Sequence, residues 1–142
     1  MGSIMWFTNL DHGRRHQKLP LMTMAENLKF SKNLKGKTAY DTYDNYDAIE
    51  VGTYKEIPSD YDGVMGVPIT FLDKYNPEQF QIVGLSRYTK TRGMSKEFVD
   101  AYYESGQTGT ICEGHPDLCY YDHNNRPVVP YMRVLIKIKK EQ

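Results

Sequence analysis

Residues 132–139 constrain this chain more than any other stretch, because their apolar side chains recur at every second position. Met132, Val134, Ile136 and Ile138 fall on one side, and Arg133, Leu135, Lys137 and Lys139 on the other. A period of two belongs to an extended strand, in which successive side chains point to opposite faces. Such a strand needs neighbours to pair with and a layer to cover its apolar face. The rest of the chain supplies suitable short runs. Residues 48–51, 67–72 and 80–85 (FQIVGL) read as strands, and residues 4–10 (IMWFTNL) favour a pleated backbone. Residues 118–122 and 128–138 read as a hairpin joined through residues 123–127.

Helical signals are fewer and shorter. Ser95 precedes a helix-favouring run that should stop near Gly106. Residues 19–30 are ambiguous, since LPLMTM is compatible with an extended backbone while MAENLKF favours helix. Asn76 and Pro77 open a short helical turn, with Gln79 as the third-position partner of a capping box. Gly63 and Gly66 frame a flexible entry into residues 67–72, and residues 33–47 read as a polar loop. The expected fold is α+β, a mixed sheet with short helices. Residues 4–142 form one domain, and residues 1–3 look like an artificial start.

Charge narrows the function. Eighteen basic and eighteen acidic residues cancel, so the chain lacks the overall basicity of a typical nucleic-acid binder. The charges are nevertheless sorted into blocks. Arg14, Arg15, Lys18, Lys29, Lys32, Lys35 and Lys37 face Glu26 alone in residues 12–37. Seven acids face Lys55 alone in residues 41–62, and residues 87–96 (RYTKTRGMSK) hold four basic groups and no acid. Blocks of this kind polarise a surface at zero net charge. No apolar run approaches the roughly 20 residues that span a bilayer. Two cysteines without a secretion signal predict a reduced, cytoplasmic setting.

Arg87, Lys90 and Arg92 alternate with Tyr88 and several hydroxyls, a mixture suited to phosphate contact and base or sugar stacking. Arg14 and Arg15 follow a predicted strand and can project together. Asn27, Asn33 and Asn45 have side chains able to read adenine edges. Tyr40, Tyr43 and Tyr46 recur between Asp41, Asp44 and Asp47, as expected of an acidic loop packed by its own rings. Cys112, His115, Cys119 and His123 offer four zinc-competent ligands, but their spacing matches no common finger, and unligated side chains are the favoured reading. Methyl transfer to adenine needs a glycine-rich turn for the donor and an Asn/Asp-Pro-Pro-aromatic loop for the base. Asn76-Pro77-Glu78 lacks the second proline and the aromatic, and neither glycine pair, 63/66 or 106/109, makes a donor fingerprint.

Three segments carry a resemblance to a family: WFTNLDHGRRH from Trp6, DYDGVMGVPITFLDKYNPEQF from Asp60, and PYMRVLIK from Pro130. Together they resemble the C-terminal portion of EcoRI-type adenine-specific DNA methyltransferases, most closely over residues 6–84 and at the end. The resemblance implies a restriction–modification enzyme that transfers a methyl group from S-adenosylmethionine to adenine N6 in double-stranded DNA. It also implies a Rossmann-like methyl-donor domain with the catalytic loop in an N-terminal region missing here. Residues 4–10 would be a late strand of that sheet and the remainder a DNA-recognition lobe, inactive alone. DNA contact would fall to Arg14, Arg15, Lys18, Lys29, Lys32, Arg87, Tyr88, Lys90 and Arg92. The competing expectations are a binding module for a protein partner, stabilised by zinc, and an inert lobe that closes the catalytic sheet.

Overall fold

A computed structural model describes residues 17–34 and 37–139. Six strands are present there: β1 (Ala48–Glu50), β2 (Val64–Pro68), β3 (Phe80–Leu85), β4 (Tyr120–Tyr121), β5 (Pro127–Val128) and β6 (Arg133–Ile138). Two α-helices accompany them, α1 (Met24–Phe30) and α2 (Lys96–Glu104). The α+β expectation holds. The strand expected at residues 4–10 lies outside the described residues.

The main sheet has four strands in the order β1-β2-β6-β3, with β1 parallel to β2 and the other two pairings antiparallel. The alternating segment that opened the sequence analysis becomes its central strand. Val134 and Ile136 join Met65, Val67, Phe71 and Phe80 in the main core, all of them fully buried. Fully burying one such side chain contributes roughly 1.5–3 kcal/mol. The opposite face of β6 is not left to solvent, because Leu135 packs with Tyr43, Ala48 and Leu118. Residues 40–48 supply that cover, so the acidic loop is indeed packed by its tyrosines, with Tyr40 and Tyr43 buried.

Both helices depend on local caps and on packing, since neither is long enough to persist alone. Thr23 and Glu26 form a complete capping box for α1, and Met24 and Leu28 pack against the main core. Thr23 is extended (φ −69°, ψ 166°) and the helix begins directly after it, as expected of the second half of this segment, while residues 18–22 belong to no strand. In α2 the Ser95 hydroxyl accepts from the Phe98 amide at 3.0 Å, and Gly106 ends the helix at φ 89°. Phe98 and Tyr102, one turn apart, anchor a second core with Met94, Ile111 and Cys119.

Four local expectations are corrected. The strand read at 67–72 is displaced toward the N-terminus: β2 ends at Pro68 and Ile69–Lys74 winds into a 3₁₀ helix. Gly66 is therefore no hinge. It sits inside β2, where a Cβ would lie 2.1 Å from the Tyr43 hydroxyl, so the missing side chain makes room for that ring. The Asn76 turn forms, its side chain accepting from the amides of Glu78 (2.7 Å) and Gln79 (3.2 Å). Gln79 does not complete a capping box there. Its amide instead bonds the Leu19 backbone twice, at 2.7 and 2.9 Å, docking the incoming chain at the start of β3. The long strand at 128–138 is broken, because residues 129–132, with Pro130 unable to donate to a ladder, separate the β4–β5 ribbon from β6.

Candidate nucleic-acid interface

The turn that follows β3 is built to project its side chains. Residues Ser86–Tyr88 form a single 3₁₀ turn, and the Thr89 hydroxyl donates back to the Leu85 carbonyl at 2.8 Å. The Ser86 hydroxyl accepts from the Arg133 amide at 2.9 Å and ties the turn to the start of β6. Farther along, Thr91 donates to the Pro116 carbonyl at 2.8 Å, and the Arg92 amide donates to the Asn45 carbonyl at 2.9 Å. A fixed backbone thus presents Arg87, Tyr88 and Lys90 outward, with Tyr88 80% exposed.

Beside this turn lies a cleft of about 350 Å³, lined by Ser86, Arg87, Asp117, Leu118 and residues 129–132. Tyr131, 79% exposed, stands on its far wall. Among the described residues, none of the side chains of Arg87, Tyr88, Lys90 and Tyr131 has a hydrogen-bonding or ion-pair partner. Sequence reasoning missed Tyr131. Its only signal was an aromatic ring next to a proline in what looked like an unbroken strand.

Directly behind the turn the polar groups are fully committed. Arg133 grips Glu50 with two hydrogen bonds, Nε to Oε1 at 3.0 Å and Nη2 to Oε2 at 2.7 Å, with side-chain exposures of only 14% and 7%. Burial alone would lower the Arg133 pKa, but the bonds and charge of Glu50 outweigh it and raise it. The Tyr43 hydroxyl donates to the same carboxylate, and burial followed by the Glu50 charge pushes its pKa well above the ordinary phenol value. Nothing in the spacing of residues 43, 50 and 133 signalled this group.

The other expected contacts do not converge on the turn. Lys18 precedes Leu19 and so lies at the Phe80 end of β3, whereas Arg87 lies beyond its Leu85 end, roughly 17–20 Å away along a strand of that length. Lys29 and Lys32 are exposed on and just after α1, with the Lys29 ammonium 5.2 Å from the centre of the Phe30 ring. Arg92 is already engaged, by Asp47 at 3.0 Å and by the Asp44 carbonyl at 3.3 Å. Arg14 and Arg15 lie outside the described residues. Asn27 and Asn45 read no base edge: both are buried, Asn27 bonding the Glu56 carbonyl and Asn45 stitching residues 117 and 119 together.

The described residues gather neither a metal site nor a methyl-donor site. Among them no three His, Cys, Asp or Glu side chains stand close enough to hold a metal ion. Cys119 is buried, its thiol pushed up to about 12 by burial and then by Asp44, while Cys112 is exposed and His115 pairs with Asp117 at 3.2 Å. Neither glycine pair opens a cradle for S-adenosylmethionine. Gly66 is filled by Tyr43, and a Cβ on Gly109 would meet the Tyr102 hydroxyl at 2.4 Å. Asn76 is buried and capped onto its own turn, so it does not hold a base amino group as the catalytic asparagine would. These residues do not fit the cofactor, and no catalytic step runs through them. Among the described residues no helix is long and apolar enough to cross a membrane.

Comparison with known proteins adds a family. The profile of adenine-specific methyltransferase EcoRI matches residues 1–139. Type II methyltransferase M.EcoRI of Escherichia coli is 46% identical over 91 residues, which cover 64% of this chain and 26% of that protein. Type II methyltransferase M.MgeORF184P of Mycoplasma genitalium is 46% identical over 83 residues, 58% of this chain and 24% of its own. Type II methyltransferase M.MpnI of Mycoplasma pneumoniae is 42% identical over 81 residues, 50% of this chain and 25% of its own. The match thus spans about a quarter of the length of these curated relatives. No solved structure matches the chain.

Proposed function

This chain belongs to the adenine-specific methyltransferase EcoRI family, and from that premise we propose that it is the DNA-engaging C-terminal portion of a restriction–modification type DNA adenine N6-methyltransferase. Residues 4–142 serve as one lobe beside a Rossmann-like domain that holds S-adenosylmethionine and performs methyl transfer, all within the cytoplasm. One observation supports the reading above the others. Arg87, Tyr88 and Lys90 stand uncommitted on a rigid turn, although most charged neighbours are paired. Cations without internal partners can release counterions from phosphate, and an exposed ring can stack on a base or sugar. Lys18, Lys29 and Lys32 would add contacts away from the turn, Arg14 and Arg15 would join them, and Arg92 would make a weaker one. The scattered positions of Cys112, His115, Cys119 and His123 leave the zinc-stabilised binding module without support.

Duplex affinity measured across a salt series tests the proposal. The double variant Arg87→Ala/Lys90→Ala should flatten the dependence of log K on log salt by about 2, close to 1 for each lost phosphate contact. Its thermal midpoint should not move, because both side chains are exposed and unpaired. An unchanged slope, or no duplex affinity in the parent chain, overturns the reading.

A further inference from the structure

We infer that the cleft between residues 86–88 and 129–132 is a nucleobase pocket selective for bases that carry an exocyclic amino group. The inference rests on the DNA-engaging reading above and assigns it a ligand. At about 350 Å³ the cleft falls at the lower end of the roughly 300–1,000 Å³ range of small-molecule sites. Val129, Pro130 and Met132 add apolar lining beside its polar groups. Tyr131 supplies a ring that the fold itself does not use.

The polar groups are unevenly chosen. Asp117 lines the cleft, its carboxylate bonded to His115 through one oxygen at 3.2 Å, and its other oxygen has no partner among the described residues. Pro130 has no N–H to offer. The Ser86 hydroxyl accepts from the Arg133 amide and keeps its own O–H to donate. A carboxylate repels phosphate, so the interior does not suit the backbone of a nucleic acid. It does suit an amino donor, as when Asp or Glu accepts from the amino group of cytosine. Adenine offers the same kind of donor, whereas thymine has no exocyclic amino group. Arg87, on the same rim, is left to take the phosphate.

Affinities of the full chain for short single-stranded dA, dC and dT oligomers, read by fluorescence anisotropy, decide the matter. The dA and dC strands should bind about tenfold more tightly than dT, the discrimination expected of one good amino–carboxylate contact. Asp117→Asn keeps the size but adds a donor, and should shrink that ratio to less than about threefold. Tyr131→Ala should weaken all three strands by about fivefold or more, and Tyr131→Phe should not. Equal affinities for the three strands, or a ratio untouched by Asp117→Asn, overturn the pocket. If Arg87→Ala/Lys90→Ala still flattens the salt dependence in that case, the DNA-engaging reading survives. Absence of all DNA affinity overturns both.

Discussion

Arg133 and Arg87 lie at the same end of the sheet, joined through the bond between the Arg133 amide and Ser86, yet they belong to opposite kinds of region. Arg133 is half-buried in a closed set in which every strong group has a partner: two bonds to Glu50, a third to that carboxylate from Tyr43, and Gly66 cleared to admit the tyrosine. Arg87 stands on a hydrogen-bonded turn with Tyr88 and Lys90 and has no hydrogen-bonding or ion-pair partner among the described residues. Both backbones are hydrogen-bonded in place, at Arg133 to Ser86 and at Thr89 to Leu85. The difference lies in what the side chains face. Desolvated charge demands an internal partner and so serves the fold. Solvated charge on rigid backbone costs the fold little and is left for a ligand. Substitutions should separate the two regions sharply.

The largest effect is expected from Glu50→Ala. It leaves the Arg133 guanidinium buried without its counter-charge, which costs about 3–5 kcal/mol where one partner of a buried pair is removed. Urea unfolding should show the midpoint collapsing. Arg87→Ala, one residue past the Ser86 link, should shift it by less than about 0.5 kcal/mol. Comparable losses in the two variants would erase the distinction between the regions.

A second loss should come with alkali, again on the buried side. Burial is the main cause that pushes Tyr40, Tyr120 and Cys119 up to about 12. In the unfolded chain these groups ionise from about pH 9 to 10, before they do so in the fold. The unfolded state therefore sheds protons first, and stability falls as pH rises. This contribution is complete below about pH 9 and lost by about pH 12. Urea midpoints should drop between about pH 8 and pH 11, and a flat profile would show these groups to be solvated.

The same contrast decides what could be read from the sequence. Signals that act within a few residues were legible. The period of two in β6, the Ser95 cap, the stop at Gly106 and the turn at Asn76 all appear where expected. Signals that act across the chain were not. Gly66 looked like a hinge because Tyr43, which fills its place, lies in a distant loop. Gln79 looked like a capping residue because Leu19, its real partner, is 60 residues away. Tyr131 stayed hidden for a related reason, since its exposure depends on the break between β5 and β6. Of the candidate interface, Arg87, Tyr88 and Lys90 were legible as a basic-aromatic run. Which of the basic residues remain unpaired was not, because pairing is decided by partners such as Asp47.

Arg92 stands between the two regions and offers the finest test. It lies two residues beyond Lys90, but its guanidinium is drawn back to Asp47 at 3.0 Å and to the Asp44 carbonyl. The side chains of that pair are 56% and 93% exposed, so water screens the attraction and the bridge contributes about 0–1 kcal/mol. Its consequence is for binding. While Asp47 neutralises it, Arg92 should contribute less to phosphate contact than Arg87 or Lys90, and Arg92→Ala should barely change the salt dependence. Asp47→Asn removes the competing charge and leaves the loop's size unchanged. It should steepen that dependence by up to about 1 while moving the urea midpoint by less than about 0.5 kcal/mol. A gain in slope would place Arg92 on the same DNA path as the turn, restrained by its acidic neighbour. An unchanged slope would narrow the interface to Arg87, Tyr88, Lys90 and the cleft beside them.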